Sequence, residues 1–223
     1  MKKKNNKKKK IILFAFIVLV VIACSVVGIV IYLNKNKQTP TTNKESVILN
    51  SIEAYGITLS DMDTELYKKE YEILKKNLES DKVDMEEYAK SISKLFVIDL
   101  YTLTNKINKY DVGGHEVVYP KIRDNYILNV EDTLYKYLED NSQDQRKQIL
   151  PEVTAVTLDS IKPNKYTIKT EDTTYDGYKV KVSMKYNKSL GYDDEAELII
   201  IKVNEKENDS DPDKIRLYIA EKN

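Results

Sequence analysis

An uncharged apolar run near the start of the chain constrains its architecture more than any other feature. Residues Ile11 to Leu33 contain no charged side chain and are dominated by isoleucine, valine, leucine and phenylalanine. A helix rises 1.5 Å per residue, so a run of about 23 residues crosses a hydrocarbon core of roughly 30 Å. The run therefore predicts one transmembrane helix over residues 11–33.

The charges on either side of the run predict its orientation. Residues 1–10 carry seven lysines and no acidic residue, whereas only Lys35 and Lys37 follow the run closely. Basic residues are retained on the cytoplasmic side of a membrane. We therefore expect a single-pass protein of the cell membrane, with a basic cytoplasmic tail at residues 1–10 and an extracytoplasmic region from residue 34 onward.

Two alternatives to a membrane span remain open. A cleavable signal peptide has an apolar region of only about 7 to 15 residues, which is shorter than this run, and no clear small-x-small cleavage site follows. The stretch Val21-Ile22-Ala23-Cys24 loosely resembles a lipobox, with Cys24 as the acylated residue. Ile22 is bulky for that motif and the sequence stays apolar after Cys24, so a membrane helix is favoured.

Beyond the span the sequence predicts a short tether and one acidic domain. Residues 34–45 are polar and lack an apolar period, which indicates a flexible tether, and residues 46–223 suffice for one domain. Seven of the 36 basic residues precede the span, which leaves 29 against all 36 acidic residues. Nucleic-acid binding requires a basic face, so it is not expected. Because Cys24 is the only cysteine, the domain contains no disulfide or cysteine metal site.

Three amphipathic helices are predicted in the first half of the domain. Apolar side chains recur every three or four residues, the spacing of one helix face, over Met62–Leu78, Val83–Thr104 and Pro120–Glu139. Ser60 and Asp61 are candidate N-caps of the first helix, and Asp84 of the second. Residues 95–103 are apolar on almost every side, so we expect the second helix at the centre of the core.

Beyond Pro151 the apolar period changes to two, which predicts a sheet. The clearest strand is Tyr178–Tyr186, whose alternation of apolar residues with lysine and serine is typical of an antiparallel strand with one face in solvent. An earlier strand or irregular extended segment is expected over Val47–Leu59. The other expected strands are Val153–Ile161, Tyr166–Thr170, Glu195–Val203 and Lys214–Ala220, with turns at Pro163-Asn164, Asp176-Gly177, Gly191 and residues 204–213.

Helices followed by a meandering sheet form an α+β layout. In this respect residues 47–220 resemble the NTF2-like (cystatin-like) fold. The resemblance implies about three helices packed on a curved antiparallel sheet of four to five strands. The stretches Phe96–Tyr101, Asp111–Gly114 and Asp132–Tyr137 also resemble uncharacterised membrane-anchored proteins of low-GC Gram-positive bacteria. The second resemblance implies no function.

The single histidine is the first candidate for catalysis. His115 follows Gly113-Gly114 and has the residue type of a general base, but the sequence supplies no matched acid, serine or cysteine for a triad. We therefore predict a surface or turn histidine and no enzymatic activity. An enzymatic role would require His115 to stand beside an acid in a pocket.

Two aspartates are the candidate ligand-binding residues. Asp99 and Asp132 interrupt apolar helical stripes, and a buried carboxylate needs a partner. They are either paired core residues that fix the helix register or, if both face one cavity, contacts for a ligand. The acidic loop at residues 207–213 lacks the glycine and the closing glutamate of an EF-hand loop. No metal and no other cofactor is predicted.

The membrane span, the short tether and the lack of a catalytic constellation predict a non-enzymatic interaction or structural module of a cell-surface assembly. Its partners would be the lipid bilayer, through residues 11–33, and a protein or a second copy of the chain. Some secretion and conjugation components resemble it in layout, which is a fold-level analogy. The alternative is a domain that binds or senses a small molecule in the cavity of an NTF2-like cone, with Asp99, Asp132 and nearby tyrosines as contacts.

Overall fold

A computed structural model describes residues 45–206 and 214–223 of the chain. Several predicted segments lie outside these residues: the basic tail, the transmembrane helix, the tether except for its last residue, and the acidic loop at residues 207–213. Within the two described ranges, no helix combines the length and the apolar character that crossing a membrane requires.

The domain begins with a two-stranded antiparallel hairpin. Strands β1 (Ile48–Ile52) and β2 (Ile57–Ser60) are joined by a short 3-10 turn. The turn ends at Gly56, whose φ of 64° is adopted easily only by a residue without a Cβ atom. The sequence predicted one extended segment over Val47–Leu59, and it is two strands because Gly56 reverses the chain.

Three helices follow, as predicted, and the second starts two residues after its predicted first residue and ends three before its predicted last. Helix α2 begins directly after Asp84, whose carboxylate accepts hydrogen bonds from the backbone N–H of Glu86 at 2.9 Å and of Glu87 at 3.0 Å. The predicted N-cap is therefore confirmed. The helices are α1 (Glu65–Leu78), α2 (Met85–Tyr101) and α3 (Pro120–Asp132).

The first helix starts later than its apolar pattern suggests. Thr64 is the N-cap of α1, since its hydroxyl accepts a hydrogen bond from the N–H of Tyr67 at 3.2 Å. The predicted caps are wrong because both residues serve the preceding hairpin. Ser60 is the last residue of β2, and the N–H of Asp61 donates to the carbonyl oxygen of Val47 at 2.9 Å.

Helix α3 is shorter than predicted and packs on its neighbours through few residues. Thr133 leaves helical geometry with φ −120° and ψ −87°, so the helix ends seven residues before Glu139. Val130 is its one fully buried residue. Tyr137, expected on the buried stripe, is 79% exposed because the helix has ended before it.

The second half of the domain is a four-stranded antiparallel sheet in the order β3-β4-β5-β6. Tyr178, Val180, Val182 and Met184 are buried while the residues between them are exposed or half-buried, which confirms the predicted alternation. Its strands are β3 (Val153–Ile168), β4 (Thr173–Tyr186), β5 (Glu195–Asn204) and β6 (Ile215–Lys222).

The turns predicted at Pro163-Asn164 and Asp176-Gly177 are wrong, because both pairs lie within strands. Pro163 and Asn164 lie within β3, opposite Tyr178 and Gly177 of β4, so the two strands expected before residue 170 are one long strand. Proline is tolerated there because β3 is an edge strand, whose outward backbone groups need no ladder partner. The hairpin turns instead after Ile168, where Asp172 adopts a positive φ of 48°.

Helix α2 is the centre of the core, as its apolar composition predicts. It contacts α1 and all four strands of the sheet. Its last turns bury Leu95, Phe96, Val97, Ile98, Leu100 and Tyr101. The domain is therefore α+β, with three helices and a four-stranded antiparallel sheet, and α2 fixes the position of every side chain at its C-terminal end.

Candidate functional site

A cavity of about 200 Å³ lies between β2, the start of α1, the end of α2 and the loop before α3. We call it the polar cavity. Serine, threonine and tyrosine side chains contribute to its wall. Its ionisable residues include four carboxylates, one ammonium group and the single imidazole, namely Asp63, Asp99, Asp111, Glu116, Lys106 and His115.

The polar cavity is built on a buried ion pair at the end of α2. The Lys106 ammonium group donates a hydrogen bond to Oδ1 of Asp99, and these side chains are only 6% and 19% exposed. Burial alone would raise the pKa of Asp99, but the Lys106 ammonium and the Gly114 N–H outweigh it and lower that pKa. Burial opposes the charge on Lys106 as well, yet Asp99 and Asp111 raise the pKa of Lys106. Both partners are thus held in their charged forms.

Two adjacent glycines let the loop before α3 close over this ion pair. A Cβ atom on Gly113 would lie 2.2 Å from the carbonyl oxygen of Asp99, a distance that no side chain tolerates. Gly114 has a φ of 74°, and its N–H donates to Oδ2 of Asp99 at 2.6 Å. The glycine pair therefore serves both the close backbone approach, at Gly113, and the turn, at Gly114.

Two further carboxylates on the polar cavity are desolvated without a cation of their own. Glu116 accepts hydrogen bonds from the N–H of Thr58 at 2.9 Å and from its hydroxyl at 2.6 Å. Asp63 accepts one from the N–H of Ser60 at 2.6 Å. Burial raises the pKa of Glu116 and the pKa of Asp63, and the hydrogen bonds only partly offset it.

His115 is half-buried and lines the same cavity as these acids. Its Nδ1 lies 2.7 Å from the carbonyl oxygen of Val112, which fixes the proton on Nδ1 in the neutral ring. Histidine and acid thus share a pocket, the condition that an enzymatic role requires. Among the described residues, however, no hydrogen bond joins the ring to a serine, threonine or carboxylate of the kind that activates a nucleophile.

The cavity does not have the geometry of a metal centre. Across residues 45–206 and 214–223, no three histidine, cysteine, aspartate or glutamate side chains are arranged to hold a metal ion. The ammonium group of Lys106 also occupies the position beside Asp99 that a cation would need. The acidic loop considered for calcium, residues 207–213, lies outside the described residues.

The two candidate aspartates have different environments. Asp99 is largely buried and lines the polar cavity. Asp132 is exposed at the last position of α3, where the apolar stripe has already ended, and it is not among the residues that line the polar cavity. The predicted burial is therefore confirmed for Asp99 and wrong for Asp132. A ligand-binding role stays a prediction for both.

A second, larger void of about 570 Å³ lies between α3 and the end of β6. We call it the α3 cleft. Its wall is mainly apolar and includes the rings of Tyr101 and Tyr126. At one end the Lys222 ammonium lies 5.7 Å from the centre of the Tyr101 ring and 4.0 Å from the Asp193 carboxylate. Asn125 and Asn129 of α3 also line the cleft.

Sequence patterns point to only part of the polar cavity. Asp99 breaks an apolar stripe, and His115 follows the glycine pair, so both are visible in the sequence. Asp63, Lys106 and Glu116 lie in irregular segments and carry no periodic signal. One indirect signal exists, because a buried carboxylate requires a nearby cation, and Lys106 is the first basic residue after Asp99.

Comparisons of the chain with protein-family models, with curated proteins and with solved structures return no match. The roles of these residues are therefore argued from their geometry and chemistry alone.

Proposed function

We propose that this chain is a non-enzymatic binding module, tethered to the outer side of the cell membrane by residues 11–33, which holds a small organic cation in its polar cavity. The ligand class is a primary ammonium compound. Of the two functions expected from the sequence, small-molecule binding or sensing is thereby favoured.

The observation that carries this proposal is the uncompensated negative charge of the polar cavity. Four carboxylates line it, whereas Lys106 is its one permanent cation among the described residues. Burial raises the pKa of Asp63 and of Glu116 by disfavouring their charged forms, and the nearby Lys106 and His115 offset this only in part. A bound ammonium group would supply positive charge and donate hydrogen bonds to the carboxylates.

The volume of the polar cavity limits the size of the ligand. About 200 Å³ corresponds to roughly seven water molecules at about 30 Å³ each. Short alkylamines and diamines fit this space, whereas peptides and nucleotides do not. The hydroxyl groups of Thr58 and Ser60, on the same wall, can accept further hydrogen bonds from the ammonium group of the ligand.

Calorimetric titration of the purified full chain in detergent with methylammonium, ethylammonium and putrescine tests the proposal. Because a charge-assisted hydrogen bond contributes about 1.5–3 kcal/mol, Asp63→Asn and Glu116→Gln should each weaken binding by about tenfold or more. Asp193→Asn in the α3 cleft is the matched control and should leave affinity unchanged. A bound cation lowers the carboxylate pKa values, so binding should also release protons in mildly acidic buffer.

Either of two results would contradict the proposal. One is that none of these amines binds or raises the melting temperature of the chain. The other is that binding occurs but Asp63→Asn and Glu116→Gln retain full affinity while Asp193→Asn loses it, which would place the ligand in the α3 cleft.

An NTF2-like fold is part of the proposal at the level of architecture. Its support is the chain order of three helices before an antiparallel meander, and the packing of α2 across all four strands.

The proposed membrane tether and its orientation are tested by protease treatment of intact cells. Digestion should remove the domain and spare the lysine-rich tail.

A second candidate function is a component of a cell-surface protein assembly, which the exposed apolar surface of helix α3 favours. Helix α3 buries only Val130, and Leu128 on it is 58% exposed, so the helix offers apolar surface to a partner. A photo-crosslinking residue at Leu128 in living cells should capture one protein reproducibly, whereas the same residue at Lys165, on the exposed β3–β4 hairpin, should not. Recovery of nothing at Leu128 would remove this candidate.

A further inference from the structure

The start of β1 and the residue before it expose three consecutive large apolar side chains. Val47, Ile48 and Leu49 are 56%, 63% and 58% exposed. Large apolar side chains scattered singly on a surface are ordinary, but a contiguous group usually marks a contact site. No charged residue occurs from position 46 to 52, so the edge lacks the charges that normally protect an exposed strand.

The geometry of β1 decides which kind of surface covers this group. Successive side chains of a strand point to opposite sides, and the register shifts between Ile48 and Asn50, so Leu49 is the extra residue of a bulge. The apolar surface therefore extends around the strand and is not confined to one face. Strand β2 occupies one edge of β1. A single protein face covers one further side of such a strand, whereas a fluid lipid interface covers every side that the domain leaves exposed.

The position of β1 in the chain places it close to the proposed membrane anchor. Thirteen residues, 34–46, separate the end of the apolar run from Val47. Even fully extended, they span at most about 45 Å. Of the described strands and helices, β1 is thus the one that follows the proposed anchor most closely along the chain.

We propose that Val47, Ile48 and Leu49 insert into the interfacial layer of the outer leaflet of the cell membrane. This inference rests on the proposed membrane tether. It adds that the domain has a second contact with lipid and is held close to the bilayer with β1 facing it. Glu45 and Asp61 flank the group, and Oδ1 of Asp61 accepts the N–H of Val47 at 2.9 Å, so a zwitterionic surface suits it better than an anionic one.

Tryptophan fluorescence provides a direct test, because the chain contains no tryptophan. The full-length Ile48→Trp variant is reconstituted into phosphatidylcholine vesicles with brominated acyl chains. We expect emission shifted to shorter wavelength and strong quenching by the bromines. Ile149→Trp is the matched control, since Ile149 is 64% exposed in a loop remote in sequence from the tether, and its emission should show neither change.

The outcomes separate this inference from the tether on which it depends. If the protein floats with the vesicles but Ile48→Trp is not quenched, the lipid contact is wrong and the tether stands. If it does not float, the tether and the contact both fail. A blue-shifted, unquenched emission that reverts on dilution of the protein among the vesicles would assign the strand to a second copy. Equal quenching of Ile149→Trp would also overturn the inference, since the contact would not be specific to β1.

Discussion

The polar cavity and the α3 cleft begin at successive residues of one helix, yet they are built in opposite ways. Asp99 of α2 lines the polar cavity, while Leu100 and Tyr101 line the α3 cleft. The cavity is closed by a loop that hydrogen-bonds to Asp99, whereas the cleft is covered by a helix with one fully buried residue. Charged side chains need such an enclosing network because burial without partners is costly. An apolar wall can tolerate a loose cover.

The largest effect that distinguishes the two regions should come from Lys106→Met. It leaves the largely buried Asp99 without its cation, which costs about 3–5 kcal/mol of unfolding free energy. The control Lys165→Met breaks an exposed pair with Asp176, at 3.5 Å, and should cost less than about 1 kcal/mol. Urea unfolding measures both. Equal losses would mean that the enclosed pair has no special role in stability.

The next largest effect tests whether the glycine loop is as tightly closed as the distances indicate. Alanine at Gly113 would place a Cβ atom 2.2 Å from the Asp99 carbonyl oxygen, so the loop must move, at about 2–3 kcal/mol. Gly191→Ala is the control, because its φ of 79° strains any side chain but no atom lies within 4 Å. It should cost about 1 kcal/mol. Thermal unfolding monitored by circular dichroism ranks the two variants.

The hydroxyl group of Tyr126 links the α3 cleft to the loop that closes the polar cavity, and loss of this hydrogen bond should have a smaller effect. The Tyr126 hydroxyl group, on a ring that lines the α3 cleft, donates to the carbonyl oxygen of Gly113 at 2.7 Å. Tyr126→Phe should cost about 1 kcal/mol, and the exposed Tyr137→Phe should change nothing measurable. If Tyr126→Phe also weakens amine binding, the cleft and the cavity are coupled. Unchanged binding would show that they act independently.

The smallest expected effect is a change in how stability depends on pH. Burial raises the pKa of Glu116 above its ordinary 4.5, so its contribution to stability is complete below about pH 4.5 and is lost as pH rises through the folded-state value. In Glu116→Gln this loss is absent. The stability of the wild type relative to the variant should therefore fall as pH increases from 4 to 7. Parallel curves in urea titrations across that range would contradict the assignment.

How much the sequence revealed depended on whether a local signal was decisive. The Asp84 cap and the alternation in β4 are local, and both predictions were correct. The turn expected at Pro163-Asn164 failed because proline also fits an edge strand, and edge position is a property of the whole sheet. Gly177 likewise resembles a turn residue, but it lies in β4. Glycine is required at that position because a Cβ atom would meet the Ile200 carbonyl oxygen at 1.8 Å.

The candidate site divides along the same line. Asp99 is recognisable because a charge in an apolar stripe is a local anomaly. Asp63 and Glu116 reach the polar cavity only because β2, the start of α1 and the loop before α3 converge there. Asp132 shows the same anomaly as Asp99 in sequence, but α3 ends at that residue, so the carboxylate meets solvent. Helix length, which no single residue determines, decided which of the two was buried.

The unequal pairing of β4 has a consequence for how the domain opens locally. Strand β4 pairs with β3 along almost its whole length, from Thr173 to Tyr186, but with β5 only from Gly177 to Ser183. Beyond β5 the distal part of the β3–β4 hairpin is thus a two-stranded ribbon, which side-chain contacts of Glu171 and Tyr175 with Tyr119 and Lys121 join to the start of α3. Amide hydrogens near Thr174 should exchange with solvent by separate, low-energy excursions, whereas those near Val180 should wait for global unfolding. The hairpin end would then behave as an independent cooperative unit within an otherwise continuous sheet.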